Sequence, residues 1–330
     1  MGRETYRAAG VDIDLVKDAI RALTGRVTFR RRNPYGMLGG VGHYAGLIDL
    51  GDRVLALTTD GVGTKMLVAD HMQDWHTVGI DCIAMNANDL FVMNVEPVAF
   101  VDYIATDRLS VEKMAQIGEG LNEGARLANL NLVGGETAQL PGLVKGLDLA
   151  GTCLGVQEKG KVVSGEKIRP GDCVLGVPSS GIHSNGLTLA RRVVEKSSGY
   201  GERLPDGTTL GAALLAPTRI YREALLACRR AEVHGMCHVT GSGLLNFTRL
   251  TKHGFDFTEP LPVPPVFDWL QEKGEIDPVE MYRTFNMGMG FAYILPEDET
   301  GVLKRLIAGS RVVGQVVKEP GIRAKGLTIR

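Results

Sequence analysis

The stretch Arg53–Lys65, RVLALTTDGVGTK, decides how the chain is read. Arg53–Thr58 is a short apolar run closing on turn residues, the pattern of a strand. Thr59-Asp60-Gly61-Val62-Gly63-Thr64-Lys65 then sets a carboxylate, two glycines, a hydroxyl and an ammonium at the strand's end. Outward from there the chain alternates. Trp75–Val95 has few breakers and reads as a long helix, and Pro97–Ala105 (PVAFVDYIA) as a buried strand. Ser110 offers an N-cap to a helix in which Val111, Met114, Gly118, Leu121 and Ala125 recur at helical spacing. Leu147–Gln157 is again a strand. Beyond it, Cys173–Val177 reads as a strand, Ser184–Lys196 and Pro217–Arg230 as helices, and Phe291–Leu295 and Val312–Val317 as strands. On the N-terminal side, a helical pattern over Asp12–Leu23 stops at Gly25 and leads into a basic arm with Arg26, Arg30, Arg31 and Arg32. This alternation predicts a mixed α/β fold, each sheet covered by helices. The charged, glycine-bearing stretch Glu158–Pro170 is the expected boundary, giving domains 1–160 and 161–330.

Composition narrows the function. With 330 residues and 44% apolar content, the chain can bury a sizeable core. Its 37 basic and 38 acidic residues leave a net charge of -1, which argues against a surface devoted to nucleic acid. No apolar run approaches the ~18 residues of a membrane span. Cys82, Cys153, Cys173, Cys228 and Cys237 form no CxxC pair and read as reduced thiols of a cytoplasmic protein. The start, MGRETY, has no apolar leader segment.

Four segments place charge and glycine beside apolar strands, where local rules are usually broken for function. Thr59–Lys65 suits a phosphate and Mg²⁺ turn, or an ordinary glycine turn capping a helix; it lacks Walker A spacing. In Gly79–Leu90, Asp81 and Asn88 share one helix face with Asp89 at its edge, fit for metal or substrate or for a solvated face. Gly134-Gly135-Glu136-Thr137-Ala138 again sets a carboxylate after a double glycine. Together Asp60, Asp81, Asp89 and Glu136 form a pool suited to Mg²⁺, which takes few carboxylates plus phosphate oxygens. Ser179–Gly186 could hold an anion on the backbone of a helix start, with His183 moving a proton, or could be only a cap. Gly40-Val41-Gly42-His43-Tyr44-Ala45 matches a dinucleotide pattern but has no apolar strand before it. His234, Cys237 and His238 lack a second ligand pair and read as satisfied side chains.

With those residues in view, the chain resembles the aminoimidazole ribonucleotide synthetase (phosphoribosylformylglycinamidine cyclo-ligase) family. The matching runs are Tyr6-x-x-Ala9-Gly10-Val11-Asp12, Thr59–Lys65, Gly79-Ile80-Asp81 with Asn88-Asp89-Leu90, and Gly134–Ala138. Later come His183-Ser184-Asn185-Gly186, His238-Val239-Thr240-Gly241-x-Gly243-Leu244 and Glu280–Asn286. Ile182 and Ser242 depart from the pattern, which often has proline and glycine there. The resemblance implies a two-domain subunit that forms a homodimer through its N-terminal domains, with ATP near that interface. It also implies conversion of formylglycinamidine ribonucleotide and ATP to aminoimidazole ribonucleotide, ADP and phosphate, in purine biosynthesis. On that reading Asp60, Asp89 and Glu136 take Mg²⁺. Asp60, Gly61, Gly63, Thr64, Lys65, Asp81, Asn88 and Thr137 surround ATP. Lys65 neutralises phosphate, His183 sits at the reacting amide, and Ser184, Asn185 and Gly186 hold the ribonucleotide phosphate. Selenophosphate synthetase and thiamine monophosphate kinase are the alternatives of similar architecture; no cysteine precedes Cys82, as the first would require.

Overall fold

The computed structural model describes residues 4–31, 34–39 and 43–329. Arg32, Asn33 and the Gly40-Val41-Gly42 part of the dinucleotide-like pattern therefore lie outside the described residues. The first half holds α1 (Ile13–Thr24), β1 (Met37–Leu38), β2 (Gly46–Asp49), β3 (Arg53–Gly61), α2 (Lys65–Met72), α3 (His76–Phe91), β4 (Glu96–Thr106), α4 (Val111–Ala128), β5 (Asn131–Gln139) and β6 (Leu147–Glu158). The second holds β7 (Cys173–Pro178), α5 (Leu187–Lys196), α6 (Leu210–Leu215), α7 (Glu223–Arg230), β8 (Gly235–His238), β9 (Gly254–Phe257) and α8 (Pro265–Lys273). It closes with α9 (Pro278–Thr284), β10 (Met289–Leu295), α10 (Thr300–Leu306), β11 (Arg311–Val317), β12 (Ile322–Ala324) and β13 (Leu327–Ile329).

The strands form two mixed sheets, a six-stranded one in the order β1-β2-β3-β6-β4-β5 and a seven-stranded one in the order β13-β12-β9-β11-β7-β10-β8. In the first, β4 and β5 run parallel, joined by the α4 crossover, while the other pairs are antiparallel. Alternation sorts the side chains. Val54, Ala56, Phe100, Leu149 and Cys153 are buried under the helices, whereas Leu57, Val101 and Tyr103 stay exposed on the opposite face. Both halves are thus mixed α/β layers, as the alternation of elements predicts.

Helices α3 and α4 approach closely because glycines line their crossing. A Cβ on Gly79 would overlap the backbone of Ile117 and Leu121, and one on Gly120 would overlap the His76 carbonyl. Gly120→Ala is therefore expected to force the helices apart and cost about 2–3 kcal/mol. Thermal denaturation should show a drop of several degrees; an unchanged midpoint would refute the tight crossing.

Two boundaries differ from the sequence reading in ways that shape the site. The helix expected from Ser184 begins at Leu187, because Gly186 adopts a left-handed conformation (φ +74°) and leaves Ser184–Gly186 as loop. The helix expected from Pro217 begins only at Glu223, so residues 217–222 are free to pack as loop against the first half.

Candidate active site at the seam between the two halves

Helix α3 projects two polar stripes. Asp81 and Asn88, the pair expected on one face, point into the second half of the chain. Asp81 Oδ1 accepts from the Thr218 backbone N–H (2.7 Å) and hydroxyl (2.5 Å). Its Oδ2 takes the Lys65 ammonium at 2.8 Å as an ion-pair contact, and neither side chain is exposed at all (0%). Lys65 also donates to the Ala216 carbonyl (2.6 Å). Burial lowers the lysine's pKa, and the Asp81 carboxylate opposes that shift without reversing it. Asn88 is equally committed: its Nδ2 donates to Arg219 O and its Oδ1 accepts from Tyr221 N, both at 2.9 Å. Lys65, Asp81 and Asn88 thus form a latch onto residues 216–221, with their polar atoms met by protein groups.

The second stripe, Asn86 and Asp89, turns toward Asp60 at the end of β3. Asp60 Oδ1 accepts from Gly61 N (2.8 Å). Burial first, and then the negative charge of Asp89, raise the Asp60 pKa from 3.8 to about 6, against the opposing pull of the Gly61 N–H. Asn86 Nδ2 donates to the Asp60 carbonyl (3.1 Å) and the Cys82 carbonyl (2.9 Å). Those two acceptors fix the amide's orientation and leave Asn86 Oδ1 buried without a hydrogen-bond partner. Asp89 Oδ1 accepts from His238 Nδ1 at 2.8 Å. Gly63, in a left-handed conformation (φ +68°), turns the chain from β3 to Thr64, which precedes α2.

Glu136 does not join this pair. The register Gly61↔Ala150↔Tyr103↔Glu136 places it on the open face of the sheet, about 14 Å from β3 across three strand spacings. Asp60 belongs to the next row, Asp60↔Gly151↔Asp102↔Gly135, which faces α3. The three-carboxylate set expected from sequence is accordingly not assembled within the chain, and the described residues contain no cluster of three or more potential ligands. Thr137 likewise lies on the exposed edge strand β5. The double glycine has a packing cause: a Cβ on Gly135 would overlap the Asp102 carboxylate.

From the second half, three loops converge on α3. His183, at φ +63°, accepts from Ser180 N through Nε2 (3.2 Å), so its proton sits on Nδ1, which is buried without a partner. Burial, reinforced by the nearby charges of Lys65 and Arg219, holds its pKa well below the usual histidine range. The proton shuttle near neutral pH expected of His183 is replaced by a neutral imidazole with one N–H to offer. The His183 ring resonances should show no titration at the usual histidine pKa; an NMR shift centred near 6.5 would contradict this. Ser184 Oγ meets Thr218 Oγ1 (3.2 Å), and Asn185 Nδ2 reaches Met85 Sδ (3.8 Å) on α3. Gly186 is required because a Cβ would overlap the Phe285 ring. Asn286 ties the loops together, donating to Gly181 O (2.9 Å) and accepting from Ser179 Oγ (3.1 Å). Thr64 and Thr188 hydroxyls meet at 3.0 Å, bringing the β3 turn to the start of α5. Arg30 and Arg31 of the basic arm donate to the arm's own carbonyls.

A cleft of about 1070 Å³ lies elsewhere, lined among others by Arg53, Lys161, Lys167, Arg229, Glu232 and His234. None of the seam residues described above lines it, so volume alone does not mark the chemistry here.

Residues 42–157 match the AIR synthase related protein N-terminal domain, and residues 169–326 match the C-terminal domain of the same family. The chain belongs to the AIR synthase family. It is 51% identical to a phosphoribosylformylglycinamidine cyclo-ligase of Methanosarcina barkeri, over 98% of both chains. It is 48% identical to one of Pyrococcus horikoshii, over 96% of both. Among solved structures, AaThiL complexed with AMPPCP and TMP superposes with a TM-score of 0.68 at 16% identity, covering 96% of this chain and 94% of that one. PurL of T. maritima complexed with FGAR gives 0.61 at 16% identity, over 90% of this chain and 48% of that one. At that identity the likeness is one of fold. In this AIR synthase family member, sequence reasoning misses Asn86 and the 216–221 segment, and discounts His238. Only the orphaned amide oxygen and the cross-chain pairing expose them.

Proposed function

We propose that the chain is a phosphoribosylformylglycinamidine cyclo-ligase, closing the imidazole ring of aminoimidazole ribonucleotide at the expense of ATP. The observation that carries this is identity near 50% along the full length of curated proteins of that name. The convergence of the Thr59–Lys65, Asn86–Asp89, His183–Gly186 and Thr284–Asn286 runs at one seam supports it.

The reaction turns the formyl oxygen of formylglycinamidine ribonucleotide into a leaving group. The γ-phosphoryl is transferred to that oxygen, the amidine-side nitrogen attacks the carbon, and phosphate departs. Positioning and electrostatics supply most of the catalysis. The donor set suits Mg²⁺: two neighbouring carboxylates that repel each other, Asp60 and Asp89, beside the orphaned Asn86 Oδ1. The ion would supply charge neutralisation for the phosphates. Gly61, Gly63 and Thr64 give the turn beside which the nucleotide would lie. Ser184, Asn185 and Gly186, at the start of α5, would receive the ribonucleotide phosphate. His183 would offer Nδ1–H to the amide oxygen as a neutral donor. Lys65, Asp81 and Asn88 serve instead to hold the two halves in register around these groups.

The exposed face carrying Leu57 (41%), Val101 (39%) and Tyr103 (42%), together with the edge strand β5, is apolar enough to receive a second copy. A homodimer of 35.5 kDa subunits is expected by light scattering, and Tyr103→Lys should shift it to monomer. An unchanged mass would exclude this face. In the described residues no helix is long and apolar enough to cross a membrane.

The test of the function is ADP release by the purified protein. Release that rises steeply with added formylglycinamidine ribonucleotide, with aminoimidazole ribonucleotide formed in equal amount, is the expected result. ATP turnover indifferent to that substrate, or stimulated instead by thiamine monophosphate, would overturn it.

A further inference from the structure

We infer that His238 is a positioning residue, which holds the Asp89 carboxylate in the orientation that receives a divalent cation beside Asp60. The inference rests on the Mg²⁺ reading of that acid pair given above. His238 ends β8 and is fully buried, paired across the sheet with Phe291 on β10. Its Nδ1 donates to Asp89 Oδ1 at 2.8 Å, a bond between residues 149 positions apart and on opposite halves of the chain.

The tautomer that allows this bond is fixed by α3 itself. Asn88 Oδ1 is taken by the Tyr221 N–H, so Nδ2 is the atom that faces His238 Nε2 at 3.4 Å. A donor opposite Nε2 leaves the ring proton on Nδ1, where Asp89 accepts it. The His238 backbone is held as well, since Tyr44 donates from its hydroxyl to the His238 carbonyl (3.3 Å). Asp89 keeps 16% of its side chain exposed, and its charge acts on Asp60 nearby.

A lone aspartate on a helix samples several rotamers, and a cation that must select one binds more weakly. A hydrogen bond from a rigid, buried ring removes that cost, and outer partners of this kind are worth ~10–100-fold in ion affinity. There is a further consequence. The partner comes from the second half, so an ordered Asp89 requires the 216–221 latch and β8 to be docked on α3. Cation binding and the closure of the seam are thereby coupled through a single side chain.

The test uses the full-length protein and Mn²⁺ as the probe, with binding followed by electron paramagnetic resonance and without turnover. In His238→Asn the side-chain amide nitrogen falls where the imidazole Nδ1 was and keeps the bond to Asp89. In His238→Leu the volume is retained and the donor is lost. Mn²⁺ affinity should fall ~10–100-fold in the leucine variant and stay within ~3-fold of the parent in the asparagine variant. Equal losses in both, or none in either, would overturn the inference, since a ring that only fills space is replaced as well by leucine as by asparagine. Should the leucine variant fail to fold, His238→Gln takes its place, because its amide nitrogen falls at the Nε2 position and cannot reach Asp89; the same fall is expected. Asp60→Asn separates the two readings. If it leaves the parent's Mn²⁺ binding intact, the acid pair is not the ion site and both readings fall. If it abolishes binding while His238→Leu does not weaken it, only the role of His238 falls.

Discussion

Asp60→Asn is expected to abolish turnover and at the same time raise the melting temperature of the ligand-free protein. Burial and the Asp89 charge lift the Asp60 pKa from 3.8 to about 6, so the folded state holds this proton more tightly than the unfolded chain does. The sign follows directly. The stabilisation is present below about pH 4, declines as pH rises through about 6, and is absent above it, where a buried carboxylate is left ionised beside another. Two pKa units at ~1.4 kcal/mol each bound the effect at about 1–3 kcal/mol. Asparagine removes the charge and retains Oδ1 for the Gly61 N–H, so the gain appears at pH 7.5 and vanishes at pH 4. On the proposed Mg²⁺ reading turnover is lost by a factor of ~10³ or more, because the group that would meet the ion's charge is gone. Adding Mg²⁺ and ATP should raise the midpoint of the parent and not of the variant. A lower melting temperature for the variant at pH 7.5 would show that Asp60 stabilises the fold and is not held there against it.

The parts of this molecule legible in sequence are those governed by local periodicity. Ser110 caps α4 as its spacing implies, accepting from Lys113 N (3.3 Å), and Arg53–Thr58, Pro97–Ala105 and Leu147–Gln157 are all strands of the first sheet. Periodicity also set Asp81 and Asn88 on one face of α3. It does not say what covers that face, and the cover is the loop at 216–221, most of which falls in the stretch Pro217–Arg230 that reads as a helix. Glu136 shows the opposite limit. A carboxylate after a double glycine looks the same whichever side of a strand it leaves from, and one step in register separates the row facing α3 from the row facing outward. His238 escapes metal-ligand spacing rules because they compare neighbours in sequence, while its partner lies on a helix in the other half of the chain.

Breaking the Lys65–Asp81 pair is expected to be the most costly single change to stability. Both side chains are wholly buried, so Lys65→Met strands a carboxylate and Asp81→Leu strands an ammonium, each at about 3–5 kcal/mol. Removing both charges together should cost less than either loss alone. What then remains is the Thr218 N–H and hydroxyl and the Ala216 carbonyl, about 1–3 kcal/mol for each that finds no new partner, offset by the desolvation of two charges that no longer has to be met. The cycle read by denaturant unfolding should therefore show strong coupling, with the double variant more stable than both singles. The same series decides what Lys65 does. As a latch, its loss leaves the KM for ATP within ~3-fold of the parent in variants assayed well below their melting temperature, whereas a phosphate contact would raise KM with little effect on unfolding. A lysine that closes a glycine turn at a strand's end looks like a phosphate ligand in the sequence. Its ammonium, 2.8 Å from a buried aspartate and 2.6 Å from a carbonyl of the other half, has already found the negative charge it was folded to meet.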